Sequence, residues 1–183
     1  MGKVRQEYLK QVEILHPHMK EAEEADKIFH HEWKKGEAEL GWEKYKQTDR
    51  YEVTLTRFRS VTDNLRNMAE EAMKGAPARE TGAVIFLLAY LSYQGRFFNS
   101  GYTKARIARA LKKVALDEGE KALLREILLG SFSWAGGEFK VLRTWIPRLL
   151  TPEFHARVRE QSRSEDLKTR RRAEQVIKLY IAS

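Results

Sequence analysis

The sequence predicts an all-α protein: a compact bundle of about eight helices joined by short loops, with no sheet. Three observations predict it. Apolar residues recur at helical spacing through most of the chain, while strict polar–apolar alternation is scarce. Only 4 prolines and 11 glycines are spread over 183 residues, too few for the many tight turns of a sandwich or barrel. A hydrophobic content of 42% beside 33% charged residues gives enough apolar surface for a core beneath a heavily charged exterior.

Each element follows from its own pattern. Val4, Tyr8, Leu9, Val12 and Leu15 mark a first helix over 3–15, which Pro17 is expected to end or bend because it has no amide to donate. A second helix is expected from about His18 to Lys35, with Met19, Ala22, Ala25, Ile28, Phe29 and Trp33 on one stripe. The segment KGEAELG, with two glycines, is expected to join it to WEKYKQ. A long helix follows from about Asp49 to Met73, striped by Val53, Leu55, Phe58, Val61, Leu65, Met68, Ala69 and Ala72. KGAPARETG then breaks the chain, and AVIFLLAYL reads as a buried core helix within 83–94.

Past the QGRFFNSG turn lies a basic helix, 103–116. Asp117 and Glu120 stand at capping-box spacing for a helix reaching Leu129. GSFSWAGG separates it from a helix over about 138–150. Thr151, Pro152 and Glu153 form a start signal. Ser164, with Glu165 and Asp166, is expected to start the last helix, whose stripe is Ala173, Val176, Ile177 and Tyr180. KGAPARETG divides the chain into a near-neutral part, 1–76, and a basic part, 77–183, which also fit one continuous domain.

Composition excludes several chemistries. With no cysteine there is no disulfide, no thiolate metal site and no cysteine nucleophile. The run Ala83–Leu91 is about half the length a membrane span requires, and no apolar leader opens the chain, so a cytoplasmic or nucleoprotein-associated protein is expected. Phosphate-loop, dinucleotide and nucleophile-elbow motifs do not occur, and no small-molecule cofactor is expected. His16 closes an EILH segment with the Glu-x-x-His spacing that di-iron bundles use in pairs, and the second pair is missing. Asp26 and His30 share a helical face, and His155 stands alone. Neither arrangement amounts to a metal or catalytic centre, so a non-catalytic protein is expected.

Charge is the more informative property. Net charge is +8, yet residues 1–76 carry 14 basic against 15 acidic side chains, and residues 77–183 carry 20 against 11. Setting Ile107 at 0° on a helical wheel puts Ala110, Leu111 and Val114 on one face. Arg106, Arg109, Lys112 and Lys113 fall at about 140–260°, opposite. From Arg96 to Lys113 there is no acid at all. A second cluster, Lys168, Arg170, Arg171 and Arg172, opens the last helix where cations oppose the helix dipole.

Two local resemblances accompany these clusters. KARIARAL is similar to the first half of a helix-turn-helix, with Ala108 and Leu111 at its apolar positions. The chain departs from that motif with Lys112 at the turn and with Glu118 and Lys121 at later apolar positions. DLKTRRRA resembles the start of the second helix of a HEAT repeat, through Asp166, Arg170 and Ala173, with no further copy one period upstream.

Several guanidinium and ammonium groups on rigid helices suit phosphate oxygens without reading sequence. The expectation is a non-catalytic binder of nucleic-acid backbone within a nucleoprotein assembly, alongside other protein subunits and away from membranes. Arg96, Lys104, Arg106, Arg109, Lys112 and Lys113 form one contact surface. Lys168, Arg170, Arg171 and Arg172 form or extend another. Phe97, Phe98, Tyr102 and Trp134 would favour RNA or single strands if exposed. The alternative is an adaptor or inhibitor whose basic face meets an acidic protein.

Overall fold

A computed structural model describes residues 2–80, 82–134, 136 and 138–181, apart from the side chains of Trp134, Tyr180 and Ile181. Helix α1 runs unbroken over Gly2–Leu40, followed by the short α2 (Trp42–Tyr45) and the long α3 (Asp49–Gly75). Then come α4 (Ala83–Ser92), α5 (Ser100–Leu111), α6 (Glu118–Trp134), α7 (Phe139–Leu142) and α8 (Ile146–Leu149). The chain ends in the pair α9 (Pro152–Gln161) and α10 (Leu167–Ile181). No strand occurs among the described residues, and the all-α multi-helix bundle is what the periodicity predicts.

The centre is α4. Every residue from Ala83 to Leu91 is buried, because α1, α3, α5 and α6 cover it on all sides. An apolar helix with no polar stripe has no other stable place. One continuous core joins Leu15 and Met19 of α1, Leu65 and Ala69 of α3, α4 itself, and Ala173 and Val176 of α10. It therefore runs across both sides of the KGAPARETG segment.

Pro17 does not end the first helix, and Gly36 does not open a linker: α1 is a single rod of 39 residues with Pro17 inside it. Tertiary packing overrides the missing hydrogen bond, since Leu15, Met19 and Ala22 are fully buried on either side of the proline. The break falls instead at Gly41, whose φ of 77° favours glycine. The basic helix spans Ser100–Leu111 rather than 103–116, and α6 continues five residues beyond Leu129. The expected 138–150 helix is split into α7, a 3-10 turn (Arg143–Trp145) and α8, with Pro147 in the first turn of α8.

Capping follows the sequence signals closely. Glu120 accepts from the Asp117 amide and Asp117 from the Glu120 amide, both at 2.8 Å, completing the capping box of α6. Thr151 Oγ1 accepts from the Phe154 amide at 3.1 Å at the start of α9. In α10 the cap is Asp166 rather than Ser164, with its carboxylate accepting from the Thr169 amide at 2.8 Å. The DLKTRRRA segment begins the second helix of the α9–α10 pair.

Beyond the body, the distal half of α1 and the start of α3 form an antiparallel arm. Phe29 stacks on Phe58 at 5.0 Å, and Trp33, Trp42, Tyr45 and Tyr51 continue the aromatic cluster toward the tip. None of these rings belongs to the main core. The arm also shows in the accessible surface: 10685 Å², against roughly 9,100 Å² for a compact protein of this mass.

Candidate nucleic-acid interface

Helix α5 turns Ile107, Ala108 and Leu111 into the core. Tyr102, Arg106 and Arg109 therefore line its outer face, and Lys113 extends the stripe in the turn that follows. The C-terminal end of α5 is closed by two groups from beyond α7. The Trp145 indole donates to the Ala108 carbonyl and the Arg148 guanidinium to the Lys112 carbonyl, both at 2.9 Å.

Across from this stripe, α3 presents Arg59, Asp63, Arg66 and Glu70 at successive helical turns. Arg106 donates to Glu70 at 2.9 Å and holds its carboxyl below the usual carboxylate range. Arg66 pairs with Asp63 at 3.2 Å. No carboxylate pairs with Arg59, Arg109, Lys112 or Lys113 among the described residues. The face thus keeps a positive excess, with Arg106 as its one partly neutralised member on α5.

Between α4 and α5 the chain has no regular structure, yet four contacts fix it. Tyr93 Oη donates to Glu23 at 2.8 Å. Lys104 Nζ donates to the Tyr93 carbonyl at 2.5 Å and to the Gly95 carbonyl at 3.3 Å. Ser100 Oγ accepts from the Phe97 amide at 3.1 Å. Burial pushes the pKa of Asp26 up overall, against the lowering influence of His30 and of the Phe98 amide. The loop then reaches Asn99 in the left-handed region at φ 61°. Phe97 is buried, whereas Phe98 is 55% and Tyr102 64% exposed. Phe98 meets the Phe58 ring edge-on at 5.8 Å, and the Arg106 guanidinium lies 6.0 Å over the Tyr102 ring. The Trp134 side chain lies outside the described residues.

Two expected contact residues turn toward the protein, one buried and one half-buried. Lys104 is 1% exposed. It falls at about 60° from Ile107, on the apolar side of α5, and its ammonium serves the loop carbonyls. Burial lowers its pKa to about 8, against the favourable field of Glu138. Arg172 donates to the Ser131 and Phe132 carbonyls at 3.0 Å and lies 4.8 Å over the Phe139 ring. It closes the C-terminal end of α6 instead of facing a ligand.

The two basic segments do meet, through these inward members and Arg96. Arg96 and the buried Glu138 both adjoin Gly136, where an added Cβ would sit 2.5 Å from Arg96 Nη2 and 3.0 Å from Glu138 Oε2. Desolvation lowers the pKa of Lys168 and of Arg172, and the charge of Arg96 adds to that lowering in both. The other two cations expected at the start of α10, Arg170 and Arg171, are exposed and have no ion pair among the described residues.

Much of the positive excess of 77–183 is engaged within the chain. Arg79 pairs with the buried Glu120 at 2.8 Å, Arg125 donates to the Leu149 carbonyl at 2.9 Å, and Arg157 makes a two-pronged pair with Glu126. The histidine candidates are engaged as well. His16 Nε2 is 3.1 Å from both the Ala89 carbonyl and Ser92 Oγ, and His30 Nδ1 is 2.9 Å from the Asp26 carbonyl. Among the described residues no group of three His, Asp or Glu side chains gathers to hold a metal. No helix among them is long and apolar enough to cross a membrane.

Arg59 and Arg66 escape the sequence reading because they sit in the near-neutral half. Their signal is their four-then-three spacing with Asp63 and Glu70, beside the Phe58–Leu65 stripe. No protein-family model, curated protein sequence or solved structure shows significant similarity to this chain.

Proposed function

We propose that this chain binds the backbone of single-stranded nucleic acid, RNA foremost, without catalysis, through the outer face of α5 and the adjoining turns of α3. In that role it acts as a subunit or accessory factor of a nucleoprotein assembly. The observation that carries the reading is the pairing of two exposed rings, Phe98 and Tyr102, with Arg59, Arg109 and Lys113, none of which has a carboxylate partner among the described residues. Cations neutralise phosphates and rings stack on unpaired bases, and this combination distinguishes single-strand sites from duplex sites. Arg106 adds a contact that competes with Glu70.

Fluorescence anisotropy with a labelled 15-mer at 50 and 200 mM salt tests it. Four phosphate contacts give a loss of about 50-fold between those concentrations. Arg109→Glu with Lys113→Glu weakens binding to unrelated sequences alike and flattens the salt slope by about 1.4. Duplex of the same length binds more weakly than the single strand. If RNA and heparin both fail to bind at 50 mM salt, the proposal falls and an acidic protein surface becomes the partner to seek.

A further inference from the structure

A cavity of about 250 Å³ opens between α3 and the loop that precedes α5. It is smaller than the roughly 300–1,000 Å³ of sites for drug-sized ligands, so it suits a single planar ring system. Its position is what makes it informative. It lies beside Phe98, at the end of the stripe that runs Lys113, Arg109, Arg106, Tyr102.

The lining has three kinds of group. Phe58 and Phe98 form the apolar part, their rings 5.8 Å apart and 69° to one another, so Phe98 meets Phe58 edge-on and leaves ring surface open. Arg59 and Arg66 stand on the α3 side. Asp63 and Asn99 supply polar edges: Asp63 is an acceptor only, and the Asn99 amide, which makes no cap hydrogen bond, offers both donor and acceptor. The wall behind them is fixed, because Thr62 Oγ1 donates to the Phe58 carbonyl at 2.8 Å and Tyr90 is buried against Thr103.

We propose that this cavity receives one unstacked nucleobase, stacked on Phe98, with the adjoining phosphate on Arg59 and Arg66. The inference rests on the single-strand reading above and adds a base site to it. The Asp63 carboxylate accepts from an exocyclic amino group and repels carbonyl oxygens, so the base is adenine, cytosine or guanine in preference to uracil.

The test uses the full chain and 15-mers carrying a single 2-aminopurine. Stacking on Phe98 quenches or shifts its emission in the complex. Phe98→Leu abolishes that change and weakens binding roughly tenfold, the effect of losing one stacked base. Asp63→Asn narrows the difference between poly(A) and poly(U) oligomers without abolishing binding. Phe98 is exposed and Asp63 half-buried, and circular dichroism checks that both variants fold. If the oligomers bind but neither variant alters emission or base preference, the cavity is not a base site, while the backbone reading stands. If no oligomer binds at low salt, both proposals fail together.

Discussion

Gly36→Val unfolds the tip of the α1–α3 arm and leaves the body folded. The ring of Tyr45 lies directly on Gly36: an added Cβ would stand 2.1 Å from Tyr45 Cδ2, and Tyr45 is 1% exposed. A glycine inside a helix costs about 1 kcal/mol relative to alanine, so its presence here reflects the close approach of the ring. Any side chain forces Tyr45 outward, with a loss of about 3 kcal/mol for an aromatic that can no longer be buried. The effect stays local because the arm's rings are separate from the main core. Hydrogen exchange checks it. Amides of 26–58 lose protection, those of 83–91 keep theirs, and Trp33 and Trp42, 5.6 Å apart, change their fluorescence. A loss of protection throughout the molecule would show that arm and body fold as one unit.

Lys104→Met is destabilising at pH 7 by about 2 kcal/mol, and it removes a rise in stability that the parent shows on the alkaline side. Two opposing effects set the size. Methionine relieves the desolvation of the ammonium, which a fall in pKa to about 8 values at roughly 3 kcal/mol. It also leaves the Tyr93 and Gly95 carbonyls without their donor, at about 1–3 kcal/mol each, and strips one cation from the set around Glu138. The second effect is larger. The folded chain holds the Lys104 proton less tightly than the unfolded chain does. Parent stability therefore rises with pH from about 8 toward the ordinary lysine value of 10.5. Tyr90 and Tyr93, raised by burial, work in the opposite sense above pH 10, because the folded state keeps their protons longer. Urea titrations at pH 7, 8, 9 and 9.5 check both parts. A variant that retains the rise between pH 8 and 9.5 would show that another group titrates there.

The helices were legible in the sequence wherever a single physical signal dominates. AVIFLLAYL, with no polar face, had to be central, and the Asp117–Glu120 and Thr151–Pro152 caps are local chemistry that tertiary structure leaves alone. Boundaries failed where packing outweighs local preference, at Pro17 and Gly36 in α1. The charge pattern was harder to read. A helical wheel separates Arg109 and Lys113 from the core, but no composition count tells Arg171, exposed, from Arg172, which closes α6. The difference depends on which carbonyls a neighbouring helix leaves unsatisfied. Glu70 likewise reaches Arg106 only once α3 lies beside α5. Phe98 and Tyr102 could be named as candidate aromatics from the sequence, but their exposure depends on how the loop and the start of α5 are placed.

The unbroken first helix has a mechanical meaning. At 1.5 Å per residue, 39 residues make a strut of about 58 Å, seated by Val4 against Gly119 at one end and carrying the aromatic tip at the other. Glu23 ties the loop before α5 to the strut's midsection through the Tyr93 hydroxyl. Because α1 also packs along α4, a displacement of the tip that tilted the rod would carry the Tyr93 end of that loop with it.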